Sequence, residues 1–175
     1  IFDVLCIYRD VSNGKEYKFG TMCSGSDWFA IALIQFTKVM ADALGLHGLL
    51  RPLHMMVVEI DKMKLEFIKM LPFECQPRFF FEDIRQVCTG EARCMLRRIP
   101  VVVPKGLRLT GCGFSCIDAS ILNVGRSMKK RCIRQQTGTT GETFAACRTS
   151  MFGDVSEATI LENVDGLGKS KYMIT

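Results

Sequence analysis

The stretch YKFGTMCSGSDWFAIALIQFTKVMADAL, residues 17–44, decides the fold expected for this sequence. Its first part, residues 17–23, is an apolar run typical of a buried β-strand, and Ser24-Gly25-Ser26 ends it. Asp27 is a residue type favoured at helix N-caps, and apolar residues then recur at helical spacing through residues 28–44. The stretch therefore predicts a strand, a glycine-bearing turn and a long helix.

The same alternation of strand and helix continues downstream. We predict further strands at residues 54–60, 78–81, 107–112 and 158–161, helices at 62–71 and 142–152, a short helix at 91–98 within an ambiguous stretch, and a basic loop at 125–141. Strands that alternate with helices form parallel sheets covered on both faces. We therefore expect one α/β domain over residues 17–175, with a five-stranded, mostly parallel sheet, after an N-terminal extension at residues 1–16.

The composition is that of an ordinary globular protein. Of the 175 residues, 48% are hydrophobic and 23% are charged, which excludes a disordered chain. The net charge of +5 favours a polyanionic partner only weakly. We expect no membrane-spanning helix and no secretory signal. The nine cysteines form no Cys-x-x-Cys pair, so we expect no zinc site and reduced thiols, in the nucleus of a eukaryote or otherwise in the cytoplasm.

Polar or reactive residues follow each of the five predicted strands. Ligands of open α/β sheets bind at the carboxyl ends of strands, near the point where strand order reverses. A glycine such as Gly25 lets the backbone approach a ligand, and a carboxylate such as Glu59 can accept ribose hydroxyls. Asp83 can accept the amino proton of an adenine. Each residue alone is also compatible with a structural role, as a solvated strand-end acid or a helix cap.

Cys116 and Glu162 follow the fourth and fifth predicted strands. Most cysteines are small buried apolar residues, but Cys116 lies in a polar loop before a predicted helix, where a thiolate can act as a nucleophile. Cations then cluster in residues 125–134 and precede Thr137-Gly138-Thr139-Thr140-Gly141. Such a segment is suited to contacting phosphates, although charge runs are usually solvated surface.

These motifs together resemble the cytosine-C5 methyltransferase family, and its dinoflagellate-type members most closely. Residues 23–27 are similar to the family's Phe-x-Gly-x-Gly turn with Gly25 retained, and Glu82-Asp83-Ile84 is similar to its Gly-Asp-Ile element. The segment Gly113-Phe114-Ser115-Cys116 with Asp118, Ser120 and Asn123 resembles the dinoflagellate-type nucleophile motif. Residues 137–140 resemble the Thr-Gly-x-Thr segment, and Glu162-Asn163-Val164 the Glu-Asn-Val triplet.

The resemblance implies a Rossmann-like fold and transfer of a methyl group from S-adenosylmethionine to C5 of a flipped-out cytosine in DNA. It assigns the nucleophile to Cys116 and a hydrogen bond to the base to Glu162. The implied cofactor residues are Cys23, Ser24, Gly25, Glu59, Asp83 and Ile84, and the implied nucleic-acid contacts are Ser120, Arg126, Lys129, Lys130, Arg131 and Arg134. We expect a monomer without a resident metal, whose domain continues beyond Thr175 into the target-recognition region and the closing strand of the cofactor site.

Three other interpretations stay open. The acceptor could be transfer RNA, because one branch of the family methylates it. The chain could be an inactive module that binds the cofactor or nucleic acid. A cysteine hydrolase is a third reading, but it needs a histidine base, and His47 and His54 are both far from Cys116 in the sequence.

Overall fold

The computed structural model describes residues 16–23, 25–46, 51–115, 135–153 and 156–162. The strands in these ranges are β1 (Lys18–Met22), β2 (Leu53–Val58), β3 (Phe79–Phe81), β4 (Glu91–Cys94), β5 (Ile99–Val102), β6 (Leu107–Cys112) and β7 (Ser156–Leu161). The helices are α1 (Trp28–Ala43), α2 (Lys62–Lys69), α3 (Ile84–Val87) and α4 (Gly138–Phe152), with a 3₁₀ turn at Phe73–Cys75.

All the described strands belong to one sheet with the order β5-β4-β3-β2-β1-β6-β7. Strands β3, β2, β1, β6 and β7 are parallel, whereas β4 and β5 form an antiparallel hairpin beside β3. The chain extends the sheet outward from β1 to β3 and later returns to the other side of β1 with β6. The strand order therefore reverses between β1 and β6. A mixed α/β architecture with a mostly parallel sheet was predicted, and at this level the prediction is confirmed.

Helices cover both faces of the sheet because its strands alternate in the direction of their side chains. Val57 and Phe80 point to one face, and the neighbouring Val58 and Phe81 point to the other. The first face packs against α1 and α2 through Phe19, Ile34, Leu65, Ile68 and Leu109. The second packs against α3 and α4 through Ile84, Val87, Cys112, Phe144 and Cys147.

The predicted short helix at residues 91–98 is wrong, because β4 and the turn that leads to β5 occupy this stretch. Glu91 and Arg93 are exposed whereas Ala92 and Cys94 are buried. This alternation of exposed and buried residues has the period of a strand. Arg98 closes the turn in a left-handed conformation, with φ of 58°. The hairpin accounts for the two strands that the predicted five-stranded sheet lacked.

Helix α4 begins at Gly138, four residues before its predicted start, so residues 138–141 do not belong to a loop. Glycine and threonine are weak helix formers. Here Thr140 is buried, and the Thr143 hydroxyl donates to the Thr139 carbonyl over 2.7 Å. Tertiary packing thus outweighs local propensity at this helix start.

Cys112 of β6 and Cys147 of α4 bring their sulfur atoms into contact. The reduced state expected of the thiols stays a prediction. Both are buried where α4 packs on β6, a juxtaposition that sequence separation does not reveal. Cys23, Cys75, Cys88 and Cys94 are free thiols.

Candidate functional site

A cleft of about 560 Å³ lies at the carboxyl ends of the parallel strands, beside the point where strand order reverses. This volume is in the range of small-molecule sites. Residues that follow β1, β2, β3, β6 and β7 line it together with the first turns of α4. The described lining residues are Cys23, Val58, Glu59, Ile60, Asp61, Lys64, Glu82, Asp83, Ile84, Arg85, Gly113, Phe114, Ser115, Thr139, Glu142, Thr143 and Glu162.

The turn between β1 and α1 has an unusual backbone. Cys23, Gly25 and Asp27 are all left-handed, with φ of 51°, 60° and 61°. This conformation costs an ordinary residue about 1–2 kcal/mol, and glycine and aspartate tolerate it best. The Cys23 N–H donates to the Val58 carbonyl over 2.7 Å, which holds the start of the turn against β2.

Asp27 ends the turn, and it adopts a backbone conformation that glycine favours. The residue precedes α1 as predicted, but its side chain makes no capping hydrogen bond, so the predicted capping role is wrong. The left-handed backbone instead places the carboxylate in the interior, with Oδ2 3.7 Å from Nδ1 of His54. Both side chains are fully buried.

His54 lies between the buried Asp27 carboxylate and the neighbouring backbone and side chains of the sheet. Its Nδ1 lies 2.9 Å from the Cys75 carbonyl, and its Nε2 lies 3.2 Å from the Thr21 hydroxyl. Burial lowers the pKa of His54 to about 4, although hydrogen bonds to backbone carbonyls act in the opposite direction. The imidazole is therefore neutral at physiological pH, and it is a structural group beneath the turn.

Glu59 ties the β1–α1 turn to the end of β2. The side chain is 6% exposed. Its Oε2 accepts the Gly25 N–H over 2.7 Å, and its Oε1 accepts the Asp61 N–H over 2.9 Å. Each carboxylate oxygen has about two acceptor directions. Glu59 can therefore hold the turn and still accept hydroxyl groups from a ligand.

Asp83 begins α3, where its Oδ1 accepts the Arg85 N–H over 2.9 Å. The Arg85 guanidinium also binds both carboxylate oxygens at 2.8–3.1 Å. The side-chain hydrogen bond from Arg85 is the main reason that the pKa of Asp83 lies below its ordinary value. Asp83 therefore presents an ionised acceptor to the cleft at neutral pH.

The exit of β6 is held between Glu162 and α4. A Cβ atom placed on Gly113 would lie 3.2 Å from Glu162 Oε2 and 3.2 Å from the Cys23 carbonyl. Glu162 therefore approaches the backbone of the β6 exit because no side chain stands there. Next along the chain, Phe114 packs edge-to-face on Phe144 with ring centroids 5.1 Å apart.

Thr143 of α4 fixes the last described residue of this exit. Its hydroxyl accepts the Ser115 N–H over 3.2 Å while it donates to the Thr139 carbonyl. Both Ser115 and Thr143 line the cleft. The backbone that leads to residue 116 thus leaves the sheet at the wall of the cleft, against the start of α4.

The Cys23 thiol also lines the cleft, but its environment makes it unreactive. Burial raises its pKa to about 12, and the nearby Glu59, Asp83 and Cys88 add to the rise. A thiol with this pKa stays protonated at neutral pH, and the thiolate is the reactive form. Cys23 is therefore suited to packing and not to nucleophilic attack.

The cleft is acidic although the whole chain carries a net charge of +5. Among the described lining side chains, six are carboxylic acids and only Lys64 and Arg85 are cations. Such an excess of one sign in a concave site concentrates ligands of the opposite sign. The arrangement favours a ligand that carries positive charge and amino or hydroxyl donors.

The structure brings together the predicted residues that it describes. Cys23, Glu59, Asp83, Ile84 and Glu162 line one cleft, and Gly25 is bonded to Glu59. Their shared location follows from the strand-end rule, while their roles stay predictions. The predicted residues outside the described part of the chain are Ser24, Cys116, Ser120, Arg126, Lys129, Lys130, Arg131 and Arg134.

Several lining residues were not predicted. Arg85 could have been suspected, because a cation two residues after a strand-end acid can fold back onto it. Glu142 and Thr143 reach the cleft only because α4 starts early and packs on the exit of β6. No local pattern in the sequence reports that packing.

No protein-family model matches this chain, and no curated protein matches it. None of the described helices is long and apolar enough to cross a membrane. Within the described ranges, no three His, Cys, Asp or Glu side chains are arranged to hold a metal ion.

Proposed function

We propose that this chain is the cofactor-binding and nucleophile-bearing part of a DNA cytosine-C5 methyltransferase, with a Rossmann-like methyltransferase fold. The switch in strand order between β1 and β6, with a cleft beside it, supports this fold. The motif resemblance and the residues gathered at the cleft support the activity.

The β1–β3 side of the cleft suits S-adenosylmethionine. Glu59 has free acceptor directions for ribose hydroxyls, and Asp83 offers an ionised acceptor for the adenine amino group. A Cβ placed on Gly25 would meet no atom within 4 Å, so there is open space in front of this turn. The cofactor carries a sulfonium cation, which the six carboxylic acids of the cleft attract.

The observation that carries the proposal is the geometry at the exit of β6. Strands β6 and β7 are parallel neighbours, and Glu162 lies against Gly113 where β6 ends. Ser115 lines the cleft two residues later, and Cys116 follows it directly. Cys116 itself lies outside the described residues, so its role is supported by the position of Ser115, the residue before it, in the lining of the same cleft as Glu162.

In the proposed reaction, the Cys116 thiolate adds to C6 of the extruded cytosine, so that C5 becomes nucleophilic. Glu162 hydrogen-bonds to N3 and the exocyclic amine and stabilises the charge that develops on the ring. S-adenosylmethionine, when bound, would supply the methyl group, whose bond to sulfur breaks as its bond to C5 forms, so that S-adenosylhomocysteine is released. Loss of the C5 proton and release of the thiolate from C6 then restore the aromatic base.

The basic residues between 120 and 134 would contact the DNA backbone on either side of the extruded base. They lie outside the described part of the chain, so this assignment rests on the resemblance alone. Action as a monomer, and in the nucleus of a eukaryote, belongs to the same proposal.

A covalent trap tests the proposal. The 175-residue chain is incubated with S-adenosylmethionine and duplex DNA that contains 5-fluorocytosine, which blocks proton loss at C5. We expect an adduct that survives denaturing electrophoresis. Cys116→Ala should form none, whereas Cys88→Ala, which removes a thiol outside the cleft lining, should form as much as the parent.

A parallel reaction with 5-fluorocytosine-substituted transfer RNA identifies the acceptor. An adduct with RNA alone would replace DNA by RNA in the proposal. If Cys116→Ala is still trapped, or if peptide mapping of the adduct finds the nucleic acid on a residue other than Cys116, the proposed mechanism is refuted.

A further inference from the structure

Three N–H groups of Arg85 hold the carboxylate of Asp83. The backbone N–H binds Oδ1 at 2.9 Å, Nε binds Oδ1 at 3.0 Å and Oδ2 at 3.1 Å, and Nη2 binds Oδ2 at 2.8 Å. The plane of the guanidinium and that of the carboxylate are thereby fixed relative to each other. The Asp83–Arg85 pair forms part of the cleft wall, because both residues line the cleft.

This arrangement leaves Asp83 little capacity for a ligand. A carboxylate has about four acceptor directions, and three N–H groups of one residue already use most of them. Because the single Nε hydrogen is shared between the two oxygens, the three N–H groups use three directions, and one on Oδ2 is left for an incoming donor. Asp83 can therefore accept a single, well-oriented N–H from a ligand.

The groups around Asp83 explain why its carboxylate needs the three N–H contacts from Arg85, which we call the clamp. Glu82 precedes Asp83, the Cys23 thiol after β1 lies close enough for Asp83 to affect its pKa, and the charge of Glu142 on α4 acts on Arg85. Partial burial favours the protonated form of the Asp83 carboxyl and so acts to raise its pKa. Arg85 opposes this effect by hydrogen bonding to the ionised form of Asp83.

We propose that Arg85 is a positioning residue, which fixes Asp83 as a single acceptor for the exocyclic amine of a purine. The cleft then selects adenine nucleosides over their deaminated counterparts. An amine at position 6 donates to Oδ2, whereas the oxo group of hypoxanthine places lone pairs against a carboxylate that cannot rotate away. The identity of the ligand rests on the cofactor proposed above, and the role of Arg85 goes beyond it.

Paired ligands measure this selectivity. Isothermal titration gives the Kd of S-adenosylhomocysteine and of its deaminated analogue, S-inosylhomocysteine, for the parent chain and its variants. We expect the parent to prefer the adenine ligand at least about tenfold, the usual scale for a hydrogen bond to a charged group. Arg85→Met should reduce that ratio at least about threefold, and Arg85→Lys should fall between, because lysine keeps the charge without the two-pronged contact.

Arg93→Met is the matched control, since Arg93 is an exposed cation on β4 that does not line the cleft. It should keep the parent ratio. A ratio that Arg85→Met leaves unchanged would overturn the inference. A parent chain that binds neither ligand would refute the proposed cofactor and the selectivity together.

The clamp itself has a readout that needs no ligand. Carbon-detected NMR of the Asp83 carboxyl follows its titration in the free protein. Arg85→Met should raise the pKa of Asp83, and Arg93→Met should leave it unchanged. An Asp83 pKa that does not change in Arg85→Met would overturn the positioning role, whatever the chain binds.

Discussion

Replacing Glu59 by Gln keeps the shape of the side chain and changes its charge and one terminal atom. The carboxylate accepts N–H groups from Gly25 and Asp61 on its two oxygens, and it is 6% exposed. A glutamine has one oxygen, so one of these N–H groups would face an NH₂ group. The variant loses a charge-assisted hydrogen bond and leaves a buried donor without an acceptor.

The size of the effect follows from these two losses. A hydrogen bond to a charged group contributes about 1.5–3 kcal/mol, and an unsatisfied buried polar group costs about 1–3 kcal/mol. The two losses overlap, and a neutral amide is easier to bury than a carboxylate. We therefore expect Glu59→Gln to lower the free energy of unfolding by about 2–4 kcal/mol.

Urea unfolding followed by the fluorescence of Trp28, the one tryptophan in the chain, measures this change. Glu74→Gln is the control, because Glu74 is an exposed acid on the 3₁₀ turn and should change stability by less than about 0.5 kcal/mol. Under conditions where the variant is folded, its cofactor affinity should fall at least about tenfold. A Glu59→Gln chain as stable as the Glu74→Gln chain would refute the idea that this carboxylate holds the turn.

Three further predictions concern pH and packing. The pKa of His54 is about 4 in the folded chain and 6.5 in the unfolded chain, so the free energy of unfolding should be highest above pH 6.5 and fall by up to about 3 kcal/mol as the pH drops towards 4. Urea unfolding at several pH values between 6.5 and 5 should show this decrease. An equal decrease in His54→Gln would contradict the prediction. Gly111→Ala should cost about 1–3 kcal/mol, since its Cβ would lie 2.6 Å from the Phe29 ring. Gly20→Ala should cost less, because its Cβ meets flexible side-chain ends at 2.9–3.0 Å, and the reverse order in thermal unfolding would show that the packing is misread. With its pKa raised to about 12, the Cys23 thiol should resist iodoacetamide at pH 8 in peptide mapping, and rapid alkylation would contradict its protonated state.

The parallel part of the fold could be predicted because its signals are local. Strand β6 was predicted with its observed bounds, and α1 to within one residue at its end, since runs of apolar residues and the glycines after them mark both. The β4–β5 hairpin was missed because its strands have four residues each, too few for their alternation to stand out. The early start of α4 was missed because burial of Thr140, which no local pattern reveals, outweighs weak propensity.

The site was predictable to the extent that it follows from topology. In a parallel sheet all carboxyl ends meet at one edge, so strand-end residues such as Glu59, Asp83 and Glu162 had to come together once the strands were adjacent. The contacts that shape the site depend on tertiary packing. The hydrogen bond from the Ser115 N–H to the Thr143 hydroxyl joins the exit of β6 to α4, and sequence spacing does not specify it.

The most direct test of the central claim is the fate of a labelled methyl group. The chain is incubated with duplex DNA and S-adenosylmethionine whose methyl group carries three deuterium atoms, and the digested nucleosides are analysed by mass spectrometry. The proposed chemistry predicts labelled 5-methyldeoxycytidine with the parent and none with Cys116→Ala. Label in another nucleoside, or no label in any nucleoside, would contradict methyl transfer to cytosine C5 by this chain.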